Sequence, residues 1–285
     1  MATLDTTKFS SSPPIYWYTF AFEENYSPER GRRWMNENYW NAYLLCGIYV
    51  FLIFSIQFYM RNKPRYDLRR PLALWSAALS VFSIVGAMRS VPELYHMLTN
   101  YSLYDTVCYP IVGNQAKTTE FWTWLFILSK LPELGDTMFI VLRKQPLLFL
   151  HWYHHVTVLL YTWSAFAENS SYVRWFVSMN YSVHAFMYSY YTLRALRFSV
   201  PKFVMISITF SQILQMVMGC IVVILAVYYR LTEQPCQVSN KDIFFCWCMY
   251  FSYLILFSRL FYKLYLSPSK TKPSSIPDNT KIKGK

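Results

Sequence analysis

The chain has 285 residues, of which 54% are hydrophobic, 20% aromatic and only 15% charged. This composition excludes an ordinary soluble domain and indicates an integral membrane protein. The formal net charge of +12 would suggest a nucleic-acid partner in a soluble chain, but here it lies mainly in loops between apolar segments, so nucleic acid is not an expected partner.

Seven apolar segments are predicted to cross the membrane, so the expected fold class is an all-α integral membrane bundle. Six are uncharged, and most approach the ~18–20 residues that a spanning helix needs. The third contains Lys130, Glu133 and Asp136, and each such charge costs about 2.5–3.5 kcal/mol at a helix centre on insertion scales. In chain order the segments are 40–59, 71–88, 121–142, 146–167, 175–193, 203–229 and 243–258.

Basic residues indicate which side of the membrane is cytosolic, because an odd number of spans places the termini on opposite sides. Seventeen Lys and Arg residues lie on the side of the C-terminus and eight on the other. We therefore expect a lumenal segment over 1–39, a membrane domain over 40–266 and a cytosolic basic tail over 267–285. The tail ends in KIKGK, where Lys281 and Lys283 resemble a dilysine retrieval signal of the endoplasmic reticulum.

Cysteines and glycosylation sequons agree with an oxidising lumen. Cys108 and Cys236 are the two of six cysteines predicted in loops, both lumenal, and we expect them to form a disulfide. The sequons at Asn25, Asn100 and Asn169 also fall on this side, and glycosylation is predicted at the first two. The remaining cysteines are expected to be buried packing residues within spans: Cys46, Cys220, Cys246 and Cys248.

Polar residues within spans three to six share one depth. At 1.5 Å per residue, they all lie roughly 8–18 Å from the predicted cytosolic ends of their spans. Four helices that turn polar faces to one layer indicate an enclosed polar site. These residues are Lys130, Glu133, Asp136 and Thr137; His151, His154 and His155; Asn180 and His184; and Thr209, Gln212 and Gln215.

A structural explanation remains open for part of this layer. Interhelical hydrogen bonding would account for Thr209, Gln212 and Asn180. A charge-compensated cluster would account for Lys130 with its two neighbouring carboxylates. Four histidines at one depth instead favour a chemical role.

Two alternative classes fit the residues less well. Di-iron desaturases and hydroxylases hold two metals with eight or more histidines in three boxes, whereas this chain has five histidines in all. A single metal with oxygen ligands from Glu133 and Asp136 stays an alternative. A non-enzymatic transporter would more often show internal repeats or helices broken by Gly and Pro, and the chain has only seven glycines.

The chain resembles the ELO family of fatty acid elongases, the 3-oxoacyl-CoA synthases of the endoplasmic reticulum. The likeness covers roughly residues 34–266, and the context of Trp152 is most similar to the branch that acts on saturated and monounsaturated acyl chains. Four motifs carry it, in order KxxExxDT, HxxHH, NxxxHxxMYxYY and TxxQxxQ. They match KLPELGDT (130–137), HWYHH (151–155), NYSVHAFMYSYY (180–191) and TFSQILQ (209–215).

The resemblance implies condensation of a long-chain acyl-CoA with malonyl-CoA, which releases CO2 and CoA and gives a 3-oxoacyl-CoA. It also implies seven helices that enclose a central acyl-chain tunnel. No cofactor or metal is expected. The expected partners are the two CoA substrates, membrane lipid and the other enzymes of the elongation cycle, and a homo-oligomer is left open.

Histidine is the expected nucleophile, because no cysteine is predicted in the polar layer and neutral imidazole can act as base or nucleophile near pH 7. His154 is the predicted acyl acceptor. His184, with His151 or His155, is expected to carry protons and donate to the oxyanion. The remaining catalytic residues are expected to orient the histidines or to stabilise an enolate: Glu133, Asp136, Lys130 and Asn180. Substrate contacts are predicted at Thr137, Tyr188, Thr209, Gln212 and Gln215.

Overall fold

The computed structural model describes residue 9, residues 15–112 and residues 116–267. Within these ranges the regular structure is helical, with no strand. A 3₁₀ turn (Met60–Asn62) extends α3, and a π-helical turn (Tyr262–Leu266) extends α11. The helices are α1 (Ala21–Glu24), α2 (Pro28–Glu37), α3 (Tyr39–Tyr59), α4 (Arg69–Asn100), α5 (Leu103–Cys108), α6 (Ala116–Glu133), α7 (Gly135–Leu142), α8 (Phe149–Ala167), α9 (Val173–Ala195), α10 (Lys202–Leu231) and α11 (Asn240–Phe261). Lys281 and Lys283 of the predicted retrieval signal lie outside the described residues.

Four helices of the described chain are long and apolar enough to cross a membrane, and the chain is a multi-pass membrane protein. In chain order they are α3 with its terminal turn, α4, α10, and α11 with its terminal turn. They correspond to predicted spans one, two, six and seven. The other three predicted spans coincide with α6 and α7, with α8 and with α9. Those helices carry the charged and polar residues of the candidate site, which lower their apolar character. Seven crossings therefore stay a prediction.

The third predicted span is two helices, and the expectation of one continuous helix over 121–142 is wrong. Pro132 has no N–H for the helical ladder, and its ring crowds the preceding turn. The chain tightens around Leu134, whose N–H donates to the Leu131 carbonyl oxygen at 3.2 Å. A Cβ atom at Gly135 would lie 2.9 Å from the Trp75 ring. Glycine therefore lets α4 approach the start of α7 closely.

The long helices form a ring. Neighbours pack in the order α6, α8, α11, α10, α9 and α4, and α4 packs on α6 and closes the ring, while α3 packs on α7 and α8 from outside. In this order α8 and α9 lie on opposite sides of the ring, although they are consecutive in sequence, and α6 packs against both. The two helices that carry the histidine motifs therefore face each other across its interior.

The N-terminal segment packs on the bundle through buried charges. Glu23 on α1 is fully buried and forms an ion pair with Arg89 of α4, and it accepts a hydrogen bond from Trp122 Nε1 at 2.6 Å. Arg32 on α2 donates to both carboxylate oxygens of Glu120 on α6, at 3.0 and 3.1 Å. Removing Arg89 from the fully buried Glu23 should cost about 3–5 kcal/mol, whereas Arg32 is only partly buried and its pair with Glu120 contributes less.

The predicted disulfide is present. Cys108, at the end of α5, is bonded to Cys236 in the α10–α11 connection. The Gln237 N–H donates to the Cys108 carbonyl oxygen at 3.0 Å, and the Ser171 N–H donates to the Gln237 carbonyl oxygen at 3.0 Å. Three connections at the predicted lumenal end of the bundle are thus held together.

The free cysteines follow the prediction with one exception. Cys46, Cys220 and Cys246 are buried, but Cys248 is exposed, so its predicted burial is wrong. Residues two positions apart on a helix point in directions that differ by about 200°. Because Cys246 faces the interior of the bundle, Cys248 faces outward.

Candidate active site

A buried ion pair joins α6 to α9. Lys130 Nζ donates to Glu133 Oε1 at 2.8 Å, to Glu133 Oε2 at 3.1 Å and to Asn180 Oδ1 at 3.1 Å. Lys130 and Glu133 are only 2% and 3% exposed, and Asn180 is buried as well. Ser129 Oγ adds a hydrogen bond to Glu133 Oε1 at 2.9 Å. The predicted KxxE and Asn residues therefore form one compensated cluster.

This cluster compensates the charge of Lys130. An ammonium group has three N–H donors: one faces the two oxygens of the Glu133 carboxylate and a second faces Asn180 Oδ1, while the Phe126 ring lies 4.0 Å from Nζ. The positive charge of Lys130 is consequently already neutralised by Glu133. Glu133 also extends toward α9, where its Oε2 lies 3.9 Å from His184 Nδ1. That distance is beyond a hydrogen bond but short for an electrostatic contact.

The three histidines of α8 lie close together. The ring centroids of His151 and His155 are 4.6 Å apart, and those of His154 and His155 are 5.6 Å apart. His155 is buried, and its Nδ1 has no hydrogen-bond partner among the described residues. His184, Lys130 and Glu133 lie within electrostatic reach of His154. The fold therefore brings the histidines of α8 and α9 and the ion pair of α6 together.

His154 is held by its backbone and by ring packing. Its carbonyl oxygen accepts a hydrogen bond from the Tyr253 hydroxyl at 3.1 Å, and the two ring centroids are 4.9 Å apart. Phe257, one turn farther along α11, also lies near the imidazole, at 6.4 Å between centroids. Within the described chain no protein group hydrogen-bonds to the His154 ring nitrogens, which are free to meet a ligand.

Asp136 contacts a tyrosine and a tryptophan rather than a histidine. Its Oδ1 accepts from Trp75 Nε1 at 2.7 Å, and its Oδ2 accepts from the Tyr188 hydroxyl at 2.7 Å. The Tyr188 ring packs edge-on against His184, with centroids 5.4 Å apart. The predicted orientation of a histidine by Asp136 is therefore indirect, through Tyr188.

Thr137 contacts one predicted site residue, His151, and one residue that was not predicted, Tyr49. Its Oγ1 lies 2.9 Å from His151 Nε2 and 2.7 Å from the Tyr49 hydroxyl. Sequence reasoning missed both Tyr49 and Trp75, because each lies in an apolar helix without a motif. No periodic or spacing signal connects them to α7, and only the tertiary packing does.

The polar stripe of α10 does not reach the histidines through hydrogen bonds among the described residues. Thr209 Oγ1 donates to the Met205 carbonyl oxygen at 3.1 Å and lies 3.2 Å from the Tyr265 hydroxyl. Gln212 Nε2 lies 3.4 Å from Met187 Sδ, and Gln215 is buried. The stripe faces α9 and the end of α11.

Fold and site together define a multi-pass helical membrane protein with a buried histidine cluster between two facing helices. The model of the GNS1/SUR4 (ELO) family matches residues 34–273. The chain therefore belongs to this family.

Individual relatives agree over most of the chain. Very long chain fatty acid elongase 6 of Drosophila melanogaster is 50% identical over 264 residues, 92% of this chain and 84% of that protein. Very long chain fatty acid elongase 6 of Homo sapiens is 43% identical over 247 residues, 87% of this chain and 92% of that protein. Very long chain fatty acid elongase 3 of Homo sapiens is 42% identical over 253 residues, 87% of this chain and 93% of that protein.

Proposed function

We propose that the protein is a fatty acid elongase of the 3-oxoacyl-CoA synthase type, which condenses a long-chain acyl-CoA with malonyl-CoA. The observation that carries the proposal is the meeting of the HxxHH histidines of α8 with the buried Lys130–Glu133–Asn180 cluster, in a chain whose relatives are named very long chain fatty acid elongases. By its motif context, the substrate class is saturated and monounsaturated acyl chains.

The first half-reaction is acyl transfer to His154. A ring nitrogen of the neutral imidazole attacks the thioester carbonyl, the C–S bond breaks, and CoA leaves as the thiol with the proton from the imidazole. The free ring nitrogens of His154 and its lack of a charged hydrogen-bond partner suit this role. An acyl-imidazole is reactive, so it requires a site from which bulk water is excluded, and the burial of the surrounding residues supports that condition.

The second half-reaction forms the carbon–carbon bond. Malonyl-CoA loses CO2, and the resulting enolate carbon attacks the acyl-imidazole carbonyl. The C–N bond breaks, the imidazole regains a proton from solvent, and 3-oxoacyl-CoA leaves. Oxyanions form in both halves and need fixed N–H donors. Because the charge of Lys130 is neutralised by Glu133, we assign this task to the imidazoles, with His184 and His155 as proton carriers.

The membrane arrangement follows from the helix order and from the charges. We propose seven crossings, by α3, α4, α6 with α7, α8, α9, α10 and α11, around an acyl-chain tunnel between the facing α8 and α9. The N-terminal segment (1–39) is lumenal and the basic tail (267–285) cytosolic, in the membrane of the endoplasmic reticulum. CoA then enters from the cytosolic end, where the α10 stripe contacts the substrate, while the hydroxyls of Thr137 and Tyr188 bond to protein groups. The product needs reduction by a further enzyme of the elongation cycle.

Activity is expected without any metal. Among the described residues, no three His, Cys, Asp or Glu side chains are arranged to hold a metal ion, and Asp136 is engaged by Trp75 and Tyr188. Full condensation activity after exhaustive treatment with EDTA and an iron chelator is the predicted result. Loss of activity that added metal restores would instead support the alternative of a metal site.

The proposed function itself is tested by product analysis. Purified protein in lipid nanodiscs is given acyl-CoA and radiolabelled malonyl-CoA, with a range of acyl lengths. Labelled 3-oxoacyl-CoA, two carbons longer than the substrate, is expected together with CO2 and CoA. Binding of acyl-CoA without new product would favour a transporter.

A further inference from the structure

A hydrogen-bonded chain connects α3 to the first histidine of HxxHH. The Tyr49 hydroxyl lies 2.7 Å from Thr137 Oγ1, which lies 2.9 Å from His151 Nε2. Tyr49 is 5% exposed and Thr137 is fully buried. Three different helices, α3, α7 and α8, thus contribute one residue each. This hydrogen-bonded chain ends at the His151 ring, which contacts the His155 ring at 4.6 Å between centroids.

The number of hydrogens gives this chain a direction. A tyrosine hydroxyl and a threonine hydroxyl each carry one hydrogen, and each oxygen can also accept. Thr137 Oγ1 is the hydrogen-bond partner of the Tyr49 hydroxyl within the described chain. The phenolic hydrogen is therefore satisfied only when it points to Thr137. The reverse direction would leave a buried hydroxyl hydrogen without an acceptor, which is costly.

Once Tyr49 donates to Thr137, the state of His151 follows. Tyr49 and His151 are the hydrogen-bond partners of Thr137 Oγ1 within the described chain, so the Thr137 hydrogen is satisfied only when His151 Nε2 accepts it and carries no proton. In neutral imidazole the single ring hydrogen then sits on Nδ1. His151 consequently offers an N–H donor at Nδ1, while its one basic nitrogen is already occupied by Thr137.

We propose that Tyr49 is a positioning residue, which acts through Thr137 to hold His151 as a neutral N–H donor to the substrate oxyanion. This inference rests on the proposed condensation reaction, and it separates the roles of the α8 histidines. His151 donates a hydrogen bond and takes no proton, so proton transfer falls to His155 and His184. Fixed donors that need no reorganisation are the form of oxyanion stabilisation that contributes most to rate.

Tyr49 is well suited to a substitution test, because a second contact holds α3 against α8. The Cys46 thiol donates to the Val156 carbonyl oxygen of α8 at 3.7 Å. Tyr49→Phe removes one hydroxyl and keeps the ring that fills the space. Tyr43→Phe on the same helix is the matched control, since Tyr43 is exposed and its hydroxyl bonds to Tyr39.

The experiment compares full-length Tyr49→Phe, Thr137→Val, Thr137→Ser and Tyr43→Phe in nanodiscs. Loss of a single oxyanion donor costs about 10²–10³-fold in kcat. A donor that is still present but no longer fixed should lose less, so we expect about a tenfold lower kcat for Tyr49→Phe with little change in KM. Thr137→Val should lose at least as much. Thr137→Ser, which keeps the hydroxyl, should lose less kcat than Thr137→Val, and Tyr43→Phe should match the wild type.

Nitrogen-15 NMR of histidine-labelled protein supplies a readout that packing alone would not move. The His151 signals, assigned by their absence in His151→Gln, should show protonated Nδ1 and bare Nε2 in the wild type and mixed tautomers in Tyr49→Phe. An unchanged tautomer with unchanged kcat, or a wild-type Nε2–H tautomer, would overturn the proposal. Wild-type protein that forms no 3-oxoacyl-CoA would overturn the proposed function instead, and the tautomer measurement is independent of that outcome.

Discussion

Replacement of His154 by alanine is expected to abolish condensation, with turnover at least about 10³-fold below the wild type. The reason is chemical and not structural. The hydrogen bond that fixes this position in the bundle goes to its backbone carbonyl oxygen, from Tyr253, and alanine keeps that carbonyl. The ring nitrogens have no hydrogen-bond partner in the described part of the chain, so their removal leaves no buried group unpaired. Folding should consequently be preserved.

The measurement is radiolabelled product formation at saturating acyl-CoA and malonyl-CoA, with thermal unfolding as the check on folding. His96→Ala is the matched control. His96 lies in α4, outside the polar layer, where its Nδ1 is 3.1 Å from Asn100 Nδ2. The control should retain activity. Turnover of His154→Ala close to that of the wild type would rule out His154 as the acyl acceptor.

Breaking the Lys130–Glu133 pair should produce the largest loss of stability. Both side chains are almost completely buried, and an uncompensated charge there costs about 3–5 kcal/mol. We therefore expect Lys130→Met and Glu133→Gln each to lower the unfolding temperature strongly. The double variant Lys130→Met/Glu133→Gln has no unpaired charge, so it should recover much of this loss.

The condensation activity of the double variant shows whether the Lys130–Glu133–Asn180 cluster is only structural or also serves catalysis. Glu133 also lies 3.9 Å from His184 Nδ1, and Lys130 fixes Asn180 beside it. We expect the double variant to fold but to remain far less active than the wild type. Unchanged unfolding temperatures of the single variants would contradict the description of a buried ion pair. Full activity of the double variant would reduce the cluster to a structural role.

Much of the site could be predicted from the sequence, because depth in a membrane is readable from helix rise. The common depth of the polar groups anticipated that Lys130, Asn180 and the four histidines would meet. Depth does not determine which neighbour a helix face meets. Thr209 and Gln212 of the α10 stripe accordingly bond to partners other than the histidines.

The remaining differences have local causes that the pattern of apolar residues does not contain. The division of the third span arises at Pro132 and Gly135, where a proline and a close approach of Trp75 replace regular helix. Tyr49 and Trp75 serve the site from apolar helices, where an aromatic residue is unremarkable in sequence. The ion pairs of Glu23 on α1 and Arg32 on α2 were not predicted either, because the sequence of a polar N-terminal segment has no periodic signal for burial.

Covalent transfer to histidine is tested most directly by acyl-CoA alone. In the absence of malonyl-CoA, purified protein should release about one equivalent of free CoA per active site, because His154 accepts the acyl group and no second substrate removes it. Mass spectrometry should then find the acyl mass on the α8 peptide that contains His154, and malonyl-CoA should discharge it as 3-oxoacyl-CoA. No release of CoA without malonyl-CoA, together with normal full turnover, would contradict the covalent scheme and would require direct attack on acyl-CoA in a ternary complex.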